Sequence, residues 1–158
     1  MPGHEIAIAL RAAYLALHRE TDAQFTRWRV TADQFVVLGA LSEGDALSQR
    51  ELVERTSSDP STLRAMLVLL EGRDLIARRP HPTDGRARSV RLTARGRRTF
   101  TRMWSHSEIL RETLVTGLTP AETRQLVRRL GRGRGGMDSF RARSQPTGER
   151  AERVEEGA

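Results

Sequence analysis

SQRELVERTSSDPSTLRAMLVLLEG, residues 48–72, decides the fold. It holds two helix starts and one buried stripe. Ser48 and Glu51 stand at the spacing where a cap hydroxyl and a carboxylate each satisfy the other's backbone N–H, so a short helix begins here with Leu52 and Val53 inward. Ser57, Ser58 and Asp59 interrupt it. Asp59 then caps a second helix whose first position is Pro60, where the missing N–H is harmless. Leu63, Met66, Leu67 and Leu70 recur at i, i+3, i+4 and i+7, which is one helical face. The opposite face carries Ser61, Arg64, Ala65 and Val68, flanked by Thr62 and Leu69, and Gly72 weakens the helix near its end. Two short helices across a tight break, the second with a small, polar and basic outer face toward its N-terminus, read as a helix-turn-helix.

Working outward, residues 6–28 place Ile6, Leu10, Tyr14, Leu17, Phe25 and Trp28 largely on one helical stripe. Thr31 and Gln34 form another capping pair, opening an apolar helix over Ala32–Leu41, and Glu43-Gly44-Asp45 makes a turn. Beyond Gly72, strand-like alternation at Leu75–Arg79 and Ser89–Leu92 flanks a loop containing Pro82 and Asp84-Gly85, a hairpin pattern. Thr93 caps a helix expected over about Ala94–Gly117, and Thr119, Pro120 and Glu122 open a last one carrying Leu126, Val127 and Leu130. From Gly131 onward apolar periodicity stops, and residues 132–158 are expected to be a disordered tail. The fold class is mainly α with a small two- or three-stranded β wing. The chain is expected to divide into an N-terminal helix over residues 1–30, the winged helix-turn-helix over 31–93, and C-terminal helices over 94–131.

The formal net charge is +7, and all 27 basic residues are arginine, which stays charged and pairs with phosphate through two parallel bonds. The acid-rich stretch 149–156 makes the remainder more basic still. Between Gly85 and Ser107 there is no acidic residue but seven arginines: Arg86, Arg88, Arg91, Arg95, Arg97, Arg98 and Arg102. A solvated surface interleaves both signs; a one-sign run of this length calls for an anionic partner. The chain has no cysteine, which excludes disulfides and thiol redox sensing. Its four histidines are scattered with no metal-ligand spacing, no glycine loop follows a strand to cradle phosphate, and no serine sits in a nucleophile elbow. No catalytic constellation, cofactor site or metal site is expected. No apolar run is long enough to span a membrane and no secretory signal opens the chain, so the expectation is a cytoplasmic protein without membrane contact.

These residues carry a family resemblance. Leu52 to Thr56, Asp59 to Leu63, Leu70 to Arg79, and above all Asp84-x-Arg86-x-x-x-Val90-x-Leu92-Thr93 with Gly96 resemble the MarR family of bacterial regulators, over about Leu10–Leu130. The resemblance implies a homodimer with interlocked terminal helices on a pseudo-palindromic operator in double-stranded DNA, acting as a regulator and most simply a repressor. By the same resemblance Ser61, Thr62 and Arg64 face the major groove, and Ser48 and Gln49 sit near phosphate. Arg86 enters the minor groove and Asp84 braces the wing; the residues by themselves allow either Arg86 or Arg88 at the hairpin tip to enter a minor groove while other arginines meet phosphates. Pro60 and Ala65 depart from the polar or basic residues that relatives often carry there, so no operator can be carried over. Relatives often bind phenolic or aromatic acids between the dimer helices and the winged domain. Arg11, Tyr14, His18 and Trp28 are candidates for such an effector site, with core or dimer packing as the plain alternative for Tyr14 and Trp28. From a different class, exposed Val68 and Leu69 fit a winged-helix interaction module that binds an acidic protein partner.

Overall fold

The computed structural model describes residues 2–44, 46–80, 83 and 88–144. They fall into two compact units, one up to Glu112 and one from Thr113 onward. The first unit contains α1 (Pro2–Phe25), a 3-10 turn (Thr26–Trp28), α2 (Ala32–Ser42), β1 (Leu47–Ser48), α3 (Gln49–Thr56) and α4 (Pro60–Gly72). It continues through β2 (Ile76–Pro80), β3 (Arg88–Leu92) and α5 (Ala94–His106) into α6 (Glu108–Leu114), and the second unit holds α7 (Pro120–Ser144). The expected class, mainly helical with a small wing, is what the chain adopts.

Caps set most of these boundaries. The Thr31 and Ser48 hydroxyls each accept an N–H from the residue three on, at 3.2 Å, and Gln34 and Glu51 accept in return. At α4, one Asp59 oxygen accepts from the Ser61 and Thr62 N–H groups at 3.0 and 3.1 Å. Thr93 does double duty: its hydroxyl accepts from Gly96 N at 2.9 Å and donates to the Asp74 carbonyl at 2.6 Å, tying α5 to the turn after α4. Such caps satisfy donors that the first helical turn leaves orphaned, each by about 1 kcal/mol.

The sheet is antiparallel in the order β1-β3-β2. Leu47 pairs with Val90, while Ile76 opposes Leu92 and Pro80 opposes Arg88. Around it Leu38, Leu41, Leu52, Leu63, Leu67, Leu70, Ile76 and Val90 are all at most 1% exposed. This one cluster packs the helix-turn-helix and the wing together, so their relative geometry is set by burial.

Three boundaries differ from expectation. α1 ends at Phe25 because Arg29 adopts a left-handed backbone (φ 55°) that no helix continues through. The helix after Thr93 breaks at Ser107, whose hydroxyl turns back to the Trp104 carbonyl at 3.0 Å. The last helix runs to Ser144, correcting the expected loss of order over 132–144; residues 145–158 lie outside the described set. Apolar periodicity reports burial, whereas helicity there rests on arginine, a good helix former, and on the absence of proline between Pro120 and Pro146.

Glu71 and Arg78 clip the end of α4 to β2: Glu71 Oε2 accepts from Arg78 Nε at 2.8 Å and from a second guanidinium nitrogen. The Arg78 bond holds the Glu71 carboxyl below its ordinary range. A lowered folded-state pKa contributes stability that is present above the ordinary value of 4.5 and is lost as pH falls through the folded value. Glu71→Gln should therefore be slightly less stable than the parent at pH 7, by about 0.5 kcal/mol for a half-exposed pair. Urea melts from pH 7 to pH 3 check this, since the gap between the two proteins should close toward the acid end.

Candidate nucleic-acid interface

The inner stripe of α4 is buried as its spacing requires, with Leu63, Leu67 and Leu70 at 0% and Met66 at 8% exposure. This fixes the helix's rotation. Ser61, Thr62, Arg64, Ala65, Val68 and Leu69 are all exposed. The Ser61 and Thr62 hydroxyls both turn to the Asp59 carboxylate, and the Ser61 bond is the main cause holding that carboxyl below its ordinary value. Arg64 has no acidic partner among the described residues. In front of this helix Ser48 and Gln49 are half-buried at the start of α3, the Ser48 hydroxyl bonding Glu51 at 2.8 Å. Arg50, one residue on, is exposed in a loose pair with Glu54 at 3.2 Å.

On the wing, Arg88 and Arg91 are exposed on β3 while Ser89 and Val90 are buried, and Arg79 is exposed on β2. The Glu71 carboxyl, lowered chiefly by its Arg78 bond, also feels the charge of Arg88. Arg95, Arg97, Arg98 and Arg102 are exposed along α5. Asp84 and Arg86, at the expected hairpin tip, lie outside the described residues.

Of the four residues expected to form an effector site, Arg11, Tyr14 and His18 follow one another along α1, while Trp28 makes its contacts apart from them. Tyr14 and His18 share a ring contact at 5.5 Å on α1, and His18 bridges Asp22 (3.1 Å) and Asp33 (3.5 Å). Asp22 in turn caps α2 by accepting from Ala32 N at 2.6 Å, so this set joins α1 to α2. Arg11 is exposed on α1. Trp28 lies elsewhere, edge-on to His106 at 5.2 Å and under the Arg27 guanidinium at 4.0 Å. It lines an open, cationic depression with Arg27, Arg102 and His106.

A second cleft, of about 480 Å³, opens between α2 and α5. Phe35, Phe100 and Trp104 wall it, Phe35 stacking 5.3 Å from Phe100 and 6.4 Å from Trp104 while the latter two tilt by 37°. Glu43 and Arg55, 3.8 Å apart, stand at its rim. Phe100 and Trp104 stand four residues apart on one side of α5, and their meeting with Phe35 is a tertiary fact. One residue missed was Arg73, whose guanidinium donates to the Trp28 and Arg29 carbonyls and so locks the α1–α2 linker to the end of α4. Its burial and the neighbouring Arg29 and Arg95 charges depress its pKa. Among the described residues no three potential ligands gather for a metal, and no helix is long and apolar enough to cross a membrane.

A buried-backed second helix with a small polar face, followed by an arginine-bearing antiparallel hairpin, defines a winged helix-turn-helix nucleic-acid-binding protein. A model of the MarR family matches residues 30–87. The chain is 35% identical over 95 residues to the transcriptional regulator HosA of Escherichia coli, a match spanning 56% of this chain and 70% of HosA. It is 34% identical over 92 residues to the HTH-type transcriptional repressor NicR of Pseudomonas putida, 58% of each chain. The solved structure of Bordetella bronchiseptica BpsR superposes with a TM-score of 0.72 at 32% identity, covering 80% of this chain and 91% of that one. The chain belongs to the MarR family of DNA-binding transcriptional regulators.

Proposed function

We propose that this protein is a sequence-specific repressor that binds a pseudo-palindromic operator as a homodimer and carries out no catalysis. The observation that carries this reading is the rotation of α4: four apolar side chains are locked inward, so Ser61, Thr62 and Arg64 are left to meet base edges. Ser48 and Gln49 at the start of α3, with Arg88 on the wing, are assigned to phosphates. The residues outside the described set keep the roles the family implies, Arg86 in the minor groove and Asp84 bracing the wing. Dimerisation is supported by apolar side chains that each unit exposes: Ile6, Ile8, Leu10 and Tyr14 on α1, and Leu126, Val127 and Leu130 on α7. Occlusion of a promoter by the bound dimer would then repress.

Mobility-shift titrations at several salt concentrations test this. Arg64→Ala should weaken binding to the preferred duplex by about 1–3 kcal/mol and relax its sequence preference, with little change in salt slope. Arg88→Ala should weaken all sequences alike and flatten the slope by about one. The opposite pattern would move Arg64 to the phosphates. The exposed Val68 and Leu69 favour one competing reading, a module for an acidic protein partner. Negligible affinity for random duplex at low salt would decide for it.

Release by a small aromatic acid is part of the same reading. DNA binding by BpsR is regulated by 6-hydroxynicotinic acid, and the ring-walled cleft, where an incoming carboxylate would compete with Glu43 for Arg55, is our candidate ahead of Arg11, Tyr14, His18 and Trp28. In a Trp28→Phe background Trp104 is the single tryptophan, and 6-hydroxynicotinic acid should change its emission saturably while lowering operator affinity. Equal emission with and without the acid would remove the cleft from the proposal.

A further inference from the structure

The outer stripe of α4 changes character along its length. Ser61 and Arg64 at its start are polar; Ala65, Val68 and Leu69, which follow, are not. Val68 and Leu69 are 54% and 57% exposed, an apolar patch held in water on the helix that the reading above sets into a major groove. Ala65 and Val68 are three residues apart, so their side chains are neighbours about 5–6 Å apart on the helix surface. Ala65 is short enough for the helix backbone to approach closely, which a long side chain would prevent.

The major groove offers one apolar group, the 5-methyl of thymine. Asparagine and glutamine are the side chains that grip adenine by two bonds, and neither stands on the exposed face of α4. Arg64 can grip guanine, and Ser61 and Thr62 can bond either kind of pair, but no side chain on this face grips adenine by two bonds. We propose that Ala65 and Val68 close on a thymine methyl in each half-site and thereby set the A·T preference of the operator. The inference rests on the DNA-binding reading and names the base class that reading leaves open.

Duplexes enriched by the wild-type protein from a random-sequence pool supply the probe. Each thymine of the enriched half-site is replaced singly by deoxyuridine, which keeps every hydrogen bond and removes only the methyl. One or two positions should lose about fourfold in affinity, the worth of one buried methyl-sized group. In Val68→Ala the same replacement should cost under about twofold, since the contact is already reduced. Ala65→Ser gives a second route, placing a hydroxyl where the methyl would close. Both sites are exposed, so unchanged melting curves show that the variants fold. Tight binding that ignores every uracil, or a penalty undiminished in both variants, overturns the methyl contact while DNA binding stands. Failure of any sequence to enrich overturns the DNA-binding reading itself, and the methyl contact with it.

Discussion

Gly96→Ala is expected to lower stability by about 3 kcal/mol or more and the thermal midpoint by roughly 6–12 °C. A Cβ at residue 96 falls 1.8 Å from the Leu75 carbonyl oxygen and 2.8 Å from its carbon. Neither atom can step aside. The Leu75 N–H is bonded to the Leu70 carbonyl at 3.0 Å, and the Leu75 oxygen accepts from Thr93 N at 3.1 Å. The methyl can be accommodated only by lifting α5 off the segment joining α4 to β2, which breaks the Thr93 cap and opens the core around Met103, Leu75 and Ile76. That cost is a large part of the 5–15 kcal/mol that holds a typical domain together. Gly39→Ala is the control. Its Cβ would meet the Phe100 ring at an ordinary 3.6 Å in the middle of α2, where alanine is the better helix former, so it should be neutral or stabilising by up to about 1 kcal/mol. Differential scanning calorimetry on the pair decides the matter. Equal melting would mean that α5 does not pack on Leu75 as described.

Much of this was readable in the chain because it is local. Thr31, Ser48, Asp59, Thr93 and Thr119 announce helix starts through contacts three residues long, and each makes its cap. The α4 stripe follows from periodicity alone. Features built across distance were hidden. β1 is two residues long, and its pairing of Leu47 with Val90 spans some forty positions, so no pattern in residues 47–48 marks a strand. Arg73 reads as one more surface arginine until the Trp28 and Arg29 carbonyls are brought to it. His18 and Trp28 were candidates for an effector site only through the family resemblance. In three dimensions each is taken up by a joint, His18 with Asp22 and Asp33, Trp28 with Phe25 and His106. Asp84 and Arg86 came from the wing signature alone, and their roles remain expectations of kinship.

Leu67→Ala and Leu69→Ala, the same substitution two residues apart on one helix, should differ in effect by at least about 1.5 kcal/mol. Leu67 is wholly buried, on the side of α4 that meets the core of Leu38, Leu52, Ile76 and Val90. Truncating it removes apolar contact and leaves a cavity, for which 2–5 kcal/mol is the usual range. Leu69 is 57% exposed, so its truncation should stay within about 0.5 kcal/mol of the parent. Denaturant midpoints at constant slope would show the difference directly. The comparison reaches beyond stability, because the DNA-binding reading and the thymine-methyl contact both rest on the rotation of α4 about its axis. A turn of the helix that buried Leu69 would also carry Arg64 and Val68 away from the groove. Comparable losses from the two variants would therefore remove the presented face, whatever affinity for DNA the protein showed.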